Sequence, residues 1–306
     1  VSGTTESLTR QISTASDLAA VVRSMKALAA SSVGQYERSV AALTDYYRTV
    51  ELGLSACLRG TAQPAPPAAQ ASAPTQPIGA IVFGSDQGLV GRFNETLMEF
   101  ALARLGSLPG KLTRIWAVGE RTQALIPPPL IAAPVAWVVP SSVEAIAPLV
   151  GRILIDMQAA RGRGDIAEIH VFHNRPRSAA AYEPVGRRLL PLDAAWRDGM
   201  AAVRWPTKTP PQIIDRAAPA LEAFIRGYLF VLLFQACAES LAAENASRLA
   251  AMQRAEKNIR EVLEHLKAQY RRIRQTSIDE ELFEVVDGYE SLSHDAHAAD
   301  GVGRDR

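Results

Sequence analysis

The sequence predicts an α/β fold built as a long antiparallel coiled coil of the N- and C-terminal helices, with an α/β (Rossmann-like) domain inserted between them. Three observations predict it. Both ends of the chain are long stretches nearly free of proline, with apolar residues spaced alternately four and three apart. That is the heptad signature of helices that wind on one another. The middle of the chain instead alternates short apolar runs with helix-like segments, the pattern of a mainly parallel sheet. A stretch rich in proline and alanine separates the first helix from that middle. The expected parts are an N-terminal shaft helix over 1–59, a linker over 60–77, a globular domain over 78–214, a C-terminal shaft helix over 215–290 and a disordered tail over 291–306.

Residues 5–58 hold no proline. Counting from Leu8 at heptad spacing gives Ile12, Ala15, Ala19, Val22, Lys26, Ala29, Val33, Tyr36, Val40, Leu43, Tyr47, Val50, Leu54 and Cys57, with Lys26 the one charge. Ala15, Ala19 and Ala29 allow close helix approach. Gly34 and Gly53 cost roughly 1 kcal/mol each against alanine and are read as points where the rod can curve. The run GTAQPAPPAAQASAPTQP at 60–77 favours extended or disordered chain.

In the domain, 78–83 reads as a strand, GSDQGLVG as a turn and 92–105 as a helix. Strands are expected at 113–118, 135–139, 168–173 and 182–192. A helix is expected over 141–160, capped by Ser141 or Ser142 with Glu144 near its first turn. Residues 193–214, with Trp196, Trp205 and several prolines, read as an irregular return.

The last helix, expected from 215, meets no proline after Pro219. At about 1.5 Å per residue it forms a rod of roughly 110 Å. Its seam reads Ile259, Leu263, Leu266, Tyr270 and Ile273, then slips by one residue to Ile278, Leu282 and Val285. Such a slip relaxes a supercoil. Gly288 is a candidate C-cap, and the tail behind it has only Leu292 and Val302 as strongly apolar residues, too few to offset ordering entropy.

The balance of 33 Lys+Arg against 32 Asp+Glu gives no case for nucleic-acid binding. The longest apolar run, 228–234, is shorter than the ~20 residues that cross a bilayer, so no membrane span is expected. The start VSGTTESLTR lacks the basic and apolar pattern of a signal peptide. Cys57 and Cys237 are read as reduced and partly buried. The glycine loop at 84–91 lacks the patterns that hold phosphates, and Asp86 would repel one. It is read as a tight turn with Gly91 close to a neighbour. His170 and His173 fall on opposite faces of a strand, and His265 sits among charges. No catalytic residue, metal or cofactor is expected. From 241 to 274 cations outnumber carboxylates eight to four, either a solvated face or a band for acidic partner surfaces.

Three segments carry a resemblance. They are MKALAAS at 25–31, SDQGLVGRFN at 85–94, and ESLAAENASRLAAMQRAEKN followed by YRRIRQTSIDEELFEVVDG near the C-terminus. Together they resemble the γ subunit of rotary F-type ATP synthases along nearly the whole chain. The resemblance implies a non-catalytic rotor shaft coupling ion translocation to ATP synthesis or hydrolysis. It would stand in a hexamer of α and β subunits, rest on the c-ring and hold the ε subunit, peripheral to the cytoplasmic face of a bacterial inner membrane. By position, Arg274 and Gln275 match a pair that hydrogen-bonds the stator hexamer. Met25 and Lys26 match the stretch beside the acidic lever loop of β, and Ile278, Leu282 and Val285 match the tip in its apolar sleeve. Gln87, Val90, Arg92 and Phe93, the linker and the long tail depart from the family pattern and imply a divergent bacterial member, as of an alternate ATPase complex. Two other classes compete: an α/β enzyme with coiled-coil oligomerisation arms, and a coiled-coil scaffold.

Overall fold

The computed structural model describes residues 2–60, 76–131, 136–178, 181–209, 211 and 217–301. In chain order the elements are α1 (Ser2–Gly60), β1 (Pro77–Phe83), α2 (Phe93–Gly106), β2 (Lys111–Val118), α3 (Glu120–Gln123), a 3-10 turn at Pro128–Leu130, α4 (Ile146–Gly162), β3 (Glu168–Ser178), β4 (Ala181–Leu190), α5 (Ala194–Ala202) and α6 (Ala217–Gly301). They form two compact units, Val1–Met25 with Met252–Arg306, and Lys26–Ala251. Residues 61–75 of the expected linker lie outside the described residues.

In the larger unit the sheet order is β2-β1-β3-β4. β1 runs parallel to β2 and to β3. β4 returns antiparallel on β3, so the expected mainly parallel sheet is mixed, with an antiparallel edge. β1 is buried along almost its whole length, as a central strand covered on both faces should be. Ala80 and Val82 face α2 through Leu97, Met98, Ala101 and Leu105. Ile81 and Phe83 face the other way, into a core shared with Ile146, Leu149, Val150 and Ile153 of α4 and with Leu229 and Leu233 of α6.

Several elements depart from expectation for local reasons. The strand expected at 135–139 reduces, in its described residues, to an isolated bridge between Trp137 and Val118. Two residues on, the amide of Val139 donates to the Asp86 side chain at 2.9 Å, and Pro140 has none. Helix α4 begins at Ile146 rather than 141, with no side-chain cap. A helix begun at 141 would press the Pro148 ring against the carbonyl of Glu144; starting at Ile146 puts the proline in the first turn, where no amide is needed. The return expected to be irregular contains α5, whose N-cap Asp193 accepts from the Trp196 amide at 2.8 Å.

The two terminal helices pair within the larger unit. A Cβ on Gly53 would lie 2.2 Å from the Phe224 ring, and one on Gly227 would touch Val50. The rings of Tyr47 and Tyr228 stand 6.0 Å apart. Numbers fall on α1 as they rise on α6, so the helices run antiparallel. Gly53 thus makes room for an aromatic ring of the partner helix. By length and composition alone, α6 is long and apolar enough to cross a membrane. However, Leu229, Val231, Leu232, Leu233 and Phe234 within it are buried core.

The smaller unit holds the remainder of the seam. Leu8, Val22 and Met252 are buried there. Indeed every seam position from Leu8 to Cys57 is buried or half-buried. On α6, Ile259, Leu263, Leu266, Tyr270 and Ile273 are half-buried, and the same spacing continues at Ser277. The expected slip is absent from this hairpin: Ile278, Leu282 and Val285 are exposed. Helix α6 also runs on to Gly301, so Gly288 lies inside it and does not end it. The helix therefore includes 291–301 of the expected disordered tail, while 302–306 lie outside the described residues.

Candidate functional site

The polar groups of the larger unit concentrate where the glycine loop meets α6. Gly84 follows β1 because nothing larger fits: a Cβ there would lie 1.6 Å from the Thr122 hydroxyl and 2.7 Å from Asn94 Oδ1. Around it the Ser85 amide donates to Asn94 Oδ1 at 3.0 Å and to Thr122 Oγ1 at 3.2 Å. Asn94 donates back to Ser85 Oγ at 2.8 Å, and Thr122 donates to Asn94 Oδ1 at 3.0 Å. All three residues are buried, so the polar groups satisfy one another. Asp86 then accepts from the Glu120 amide at 3.0 Å and the Val139 amide at 2.9 Å. Its carboxylate ties three loops together. That role needs partners 34 and 53 residues away and has no local signature.

Beyond Gly88 the loop turns over through Leu89 and Gly91, both at positive φ, 64° and 63°. Gly91 has open space around it; its glycine serves the backbone conformation, and the close approach expected there belongs to Gly84. The turn buries Val90, which packs with Phe93, Ala243 and Tyr182.

Helix α6 answers this loop with hydrogen bonds. Ser240 Oγ donates to the Phe83 carbonyl at 2.8 Å, and Ser247 Oγ donates to the Val90 carbonyl at 2.7 Å. On the same stretch of helix Arg248 Nη2 donates to Glu244 Oε1 at 2.6 Å. The Glu244 side chain is only 6% exposed. Burial holds its carboxyl above the usual carboxylate range, against the opposing pull of Arg248. Beside them a cleft of about 210 Å³ is lined by Tyr36, Asp86, Gln87 and Glu244 among others. Tyr36 OH donates to the Pro140 carbonyl at 3.5 Å, and burial raises its pKa.

The two strand histidines face opposite ways, as their spacing requires. His170 meets Glu168 at 2.8 Å, and His173 meets Glu239 of α6 at 2.7 Å. Burial lowers the His170 pKa, against the pull of Glu168. Sequence spacing alone did not reveal either acidic partner. Among the described residues no group of three or more His, Cys, Asp or Glu is placed to hold a metal. Cys57 and Cys237 are buried thiols that form no disulfide, and burial raises both pKa values.

The residues singled out by resemblance fall at separate places. Met25 and Lys26 are half-buried on α1, while Arg274 and Gln275 are exposed on α6. Ile278, Leu282 and Val285 are 54, 61 and 71% exposed. Phe283 and Val286, which the seam pattern passed over, are exposed beside them. Five large apolar side chains facing solvent within nine positions form a patch that soluble surfaces seldom carry without a partner.

Residues 4–292 match the family model described as ATP synthase. The ATP synthase gamma chain of Rhizorhabdus wittichii is 30% identical over 222 residues, which cover 69% of this chain and 72% of that one. The gamma chain of Arthrobacter sp. is 27% identical over 299 residues, covering 93% and 96%. Among solved structures, one of the Euglena gracilis mitochondrial ATP synthase, OSCP/F1/c-ring in rotational state 3, aligns with TM-score 0.61 at 15% identity, covering 100% of this chain and 99% of that one. A central stalk/c-ring structure from Tetrahymena thermophila aligns with TM-score 0.52 at 18% identity, covering 77% and 99%. At these identities the structural likeness concerns the fold.

Proposed function

This chain belongs to the ATP synthase gamma family, and from that premise we propose that it is the central rotor shaft of a bacterial F-type ATP synthase. It couples ion translocation to ATP synthesis or hydrolysis at β subunits. The observation that carries the mechanical reading is the apolar patch from Ile278 to Val286 on α6, past the last half-buried seam position at Ser277. A helix that presents such a patch needs an apolar sleeve, and a hexamer of α and β subunits supplies one. The ε subunit and the c-ring are the other partners, and the complex lies on the cytoplasmic face of the inner membrane. The carboxylates beside the cleft are engaged in holding the fold, which suits a non-catalytic subunit: both oxygens of Asp86 accept backbone amides, and Glu244 is held by Arg248. Purification of the tagged chain from its own membranes should bring α and β subunits in threefold excess. Their absence would sink the rotor reading.

Within the shaft, Arg274 and Gln275 contact a stator loop, Met25 and Lys26 face the lever loop of β, and Ile278, Leu282 and Val285 turn in the bearing. Arg271 and Arg274 are both exposed, and exposed ion pairs are worth about 0–1 kcal/mol. Arg271→Ala should therefore leave ATP hydrolysis by the assembled complex nearly intact. Arg274→Ala should be more severe, because a guanidinium that forks onto a carboxylate loses two charge-assisted hydrogen bonds at once. Equal activity of the two variants would reject the role given to Arg274.

A further inference from the structure

We propose that Glu239, Ser240 and Ser247 of α6 form a torsional key that locks the inserted domain to the shaft helix, so that domain and helix turn as one body. The proposal rests on the rotor reading. The apolar stretch 228–238 binds α6 to the domain through core packing. Such packing is strong but non-directional, and by itself it resists rotation of a helix about its axis only through side-chain shape. From Glu239 onward apolar packing continues at Leu241, Ala242 and Ala243, and directional contacts join it. Glu239 holds His173 of β3 at 2.7 Å, Ser240 holds the end of β1 at Phe83 at 2.8 Å, and Ser247 holds the glycine loop at Val90 at 2.7 Å. At 3.6 residues per turn these positions share one face of the helix.

Three features suit these bonds to carrying torque. Hydrogen bonds are directional, so a small rotation of α6 strains all three together. They act from the helix surface, roughly 5 Å from the axis, where a tangential force has a lever arm. The two serine bonds are also shielded from water, with Ser240 2% and Ser247 8% exposed, so that solvent competes little for a broken bond; the Glu239–His173 pair is half-buried. The three anchors lie on three separate segments, β1, the glycine loop and β3. The load is thereby shared between the sheet and the loop that follows β1.

The test uses the assembled ATP synthase with the c-ring immobilised and a probe on α6 beyond Met252. In Ser240→Ala/Ser247→Ala, the thermal spread of probe angle should widen at least about twofold in variance, since two of three directional contacts are gone. Ser240→Thr/Ser247→Thr, which keeps both hydroxyls, should restore the narrow spread. An unchanged spread in the alanine variant would overturn the key. In Val90→Cys/Ser247→Cys, oxidation should link loop to helix without loss of ATP hydrolysis or ATP-driven ion pumping. Reversible loss of both on oxidation would also overturn it, because the loop would then have to move on α6 during the cycle. This second arm decides the matter if the alanine variant does not assemble. Failure of the rotor reading would look different: the unsubstituted chain would bring no α or β subunits at all.

Discussion

Gly84→Ala lowers the stability of the inserted domain by about 3–5 kcal/mol, because the site has no room for even one methyl group. The added Cβ would stand 1.6 Å from the Thr122 hydroxyl and 2.8 Å from the Thr122 Cβ. Thr122 cannot swing away, because it is 0% exposed and its hydroxyl is engaged with Asn94 and Ser85. Displacing it would strip the Ser85 amide of one acceptor and crowd the Asn94 carboxamide that provides the other. The cost therefore joins overpacking to the loss of buried hydrogen bonds. Urea unfolding of the purified chain should show it as a lower midpoint. Adding Thr122→Ala removes the closest contact but leaves the two β-carbons in collision, so it should recover part of the loss and not all. Full stability of Gly84→Ala would mean that the β1–loop junction is far softer than its packing implies.

The network around Gly84 also marks the limit of what sequence conveys here. Heptad spacing was legible from Leu8 to Cys57, because a helix carries its own period and the partner need only be apolar. Every one of those positions is buried or half-buried. The same rule misled at the far end of α6. Apolar residues were followed to Ile278, Leu282 and Val285, whereas the intrachain seam keeps its spacing through the polar Ser277. Apolarity there reports a surface outside this chain's own hairpin, and spacing cannot say which. Asp86, Ser240 and Ser247 were invisible for a different reason. Each binds backbone groups of distant segments, and a backbone amide or carbonyl leaves no trace in residue type. Pro148 was visible, but its consequence for the start of α4 depended on which turn it occupied. The resemblance reached the right family through the run containing Ser240 and Ser247, although nothing local in that run states what those hydroxyls hold.

Arg248→Leu should destabilise the larger unit by about 3–5 kcal/mol near neutral pH, the usual result of leaving one half of a buried ion pair behind. Glu244 is 4% exposed, and burial already holds its carboxyl above the ordinary range while Arg248 pulls it down and Asp86 adds to the rise. Removing Arg248 deletes the opposing pull, so the folded-state pKa climbs further above the unfolded value of about 4.3. The sign follows from proton linkage. With the folded pKa above the unfolded one, the native state binds the proton more readily, and unfolding releases it. The penalty is therefore absent below the unfolded pKa, grows as pH rises through the folded pKa, and levels off above it. The gap between the urea midpoints of Arg248→Leu and the unsubstituted chain should be smallest near about pH 4.5 and widen by about pH 7.5. Lost packing of the arginine stem adds a deficit that does not change with pH. Glu244→Gln combined with Arg248→Leu removes the stranded charge and should abolish the pH-dependent part while leaving the constant part. A deficit of Arg248→Leu that stays the same across this range would show that Glu244 finds another cation or water, and that the ion pair is not what holds its charge beside the glycine loop.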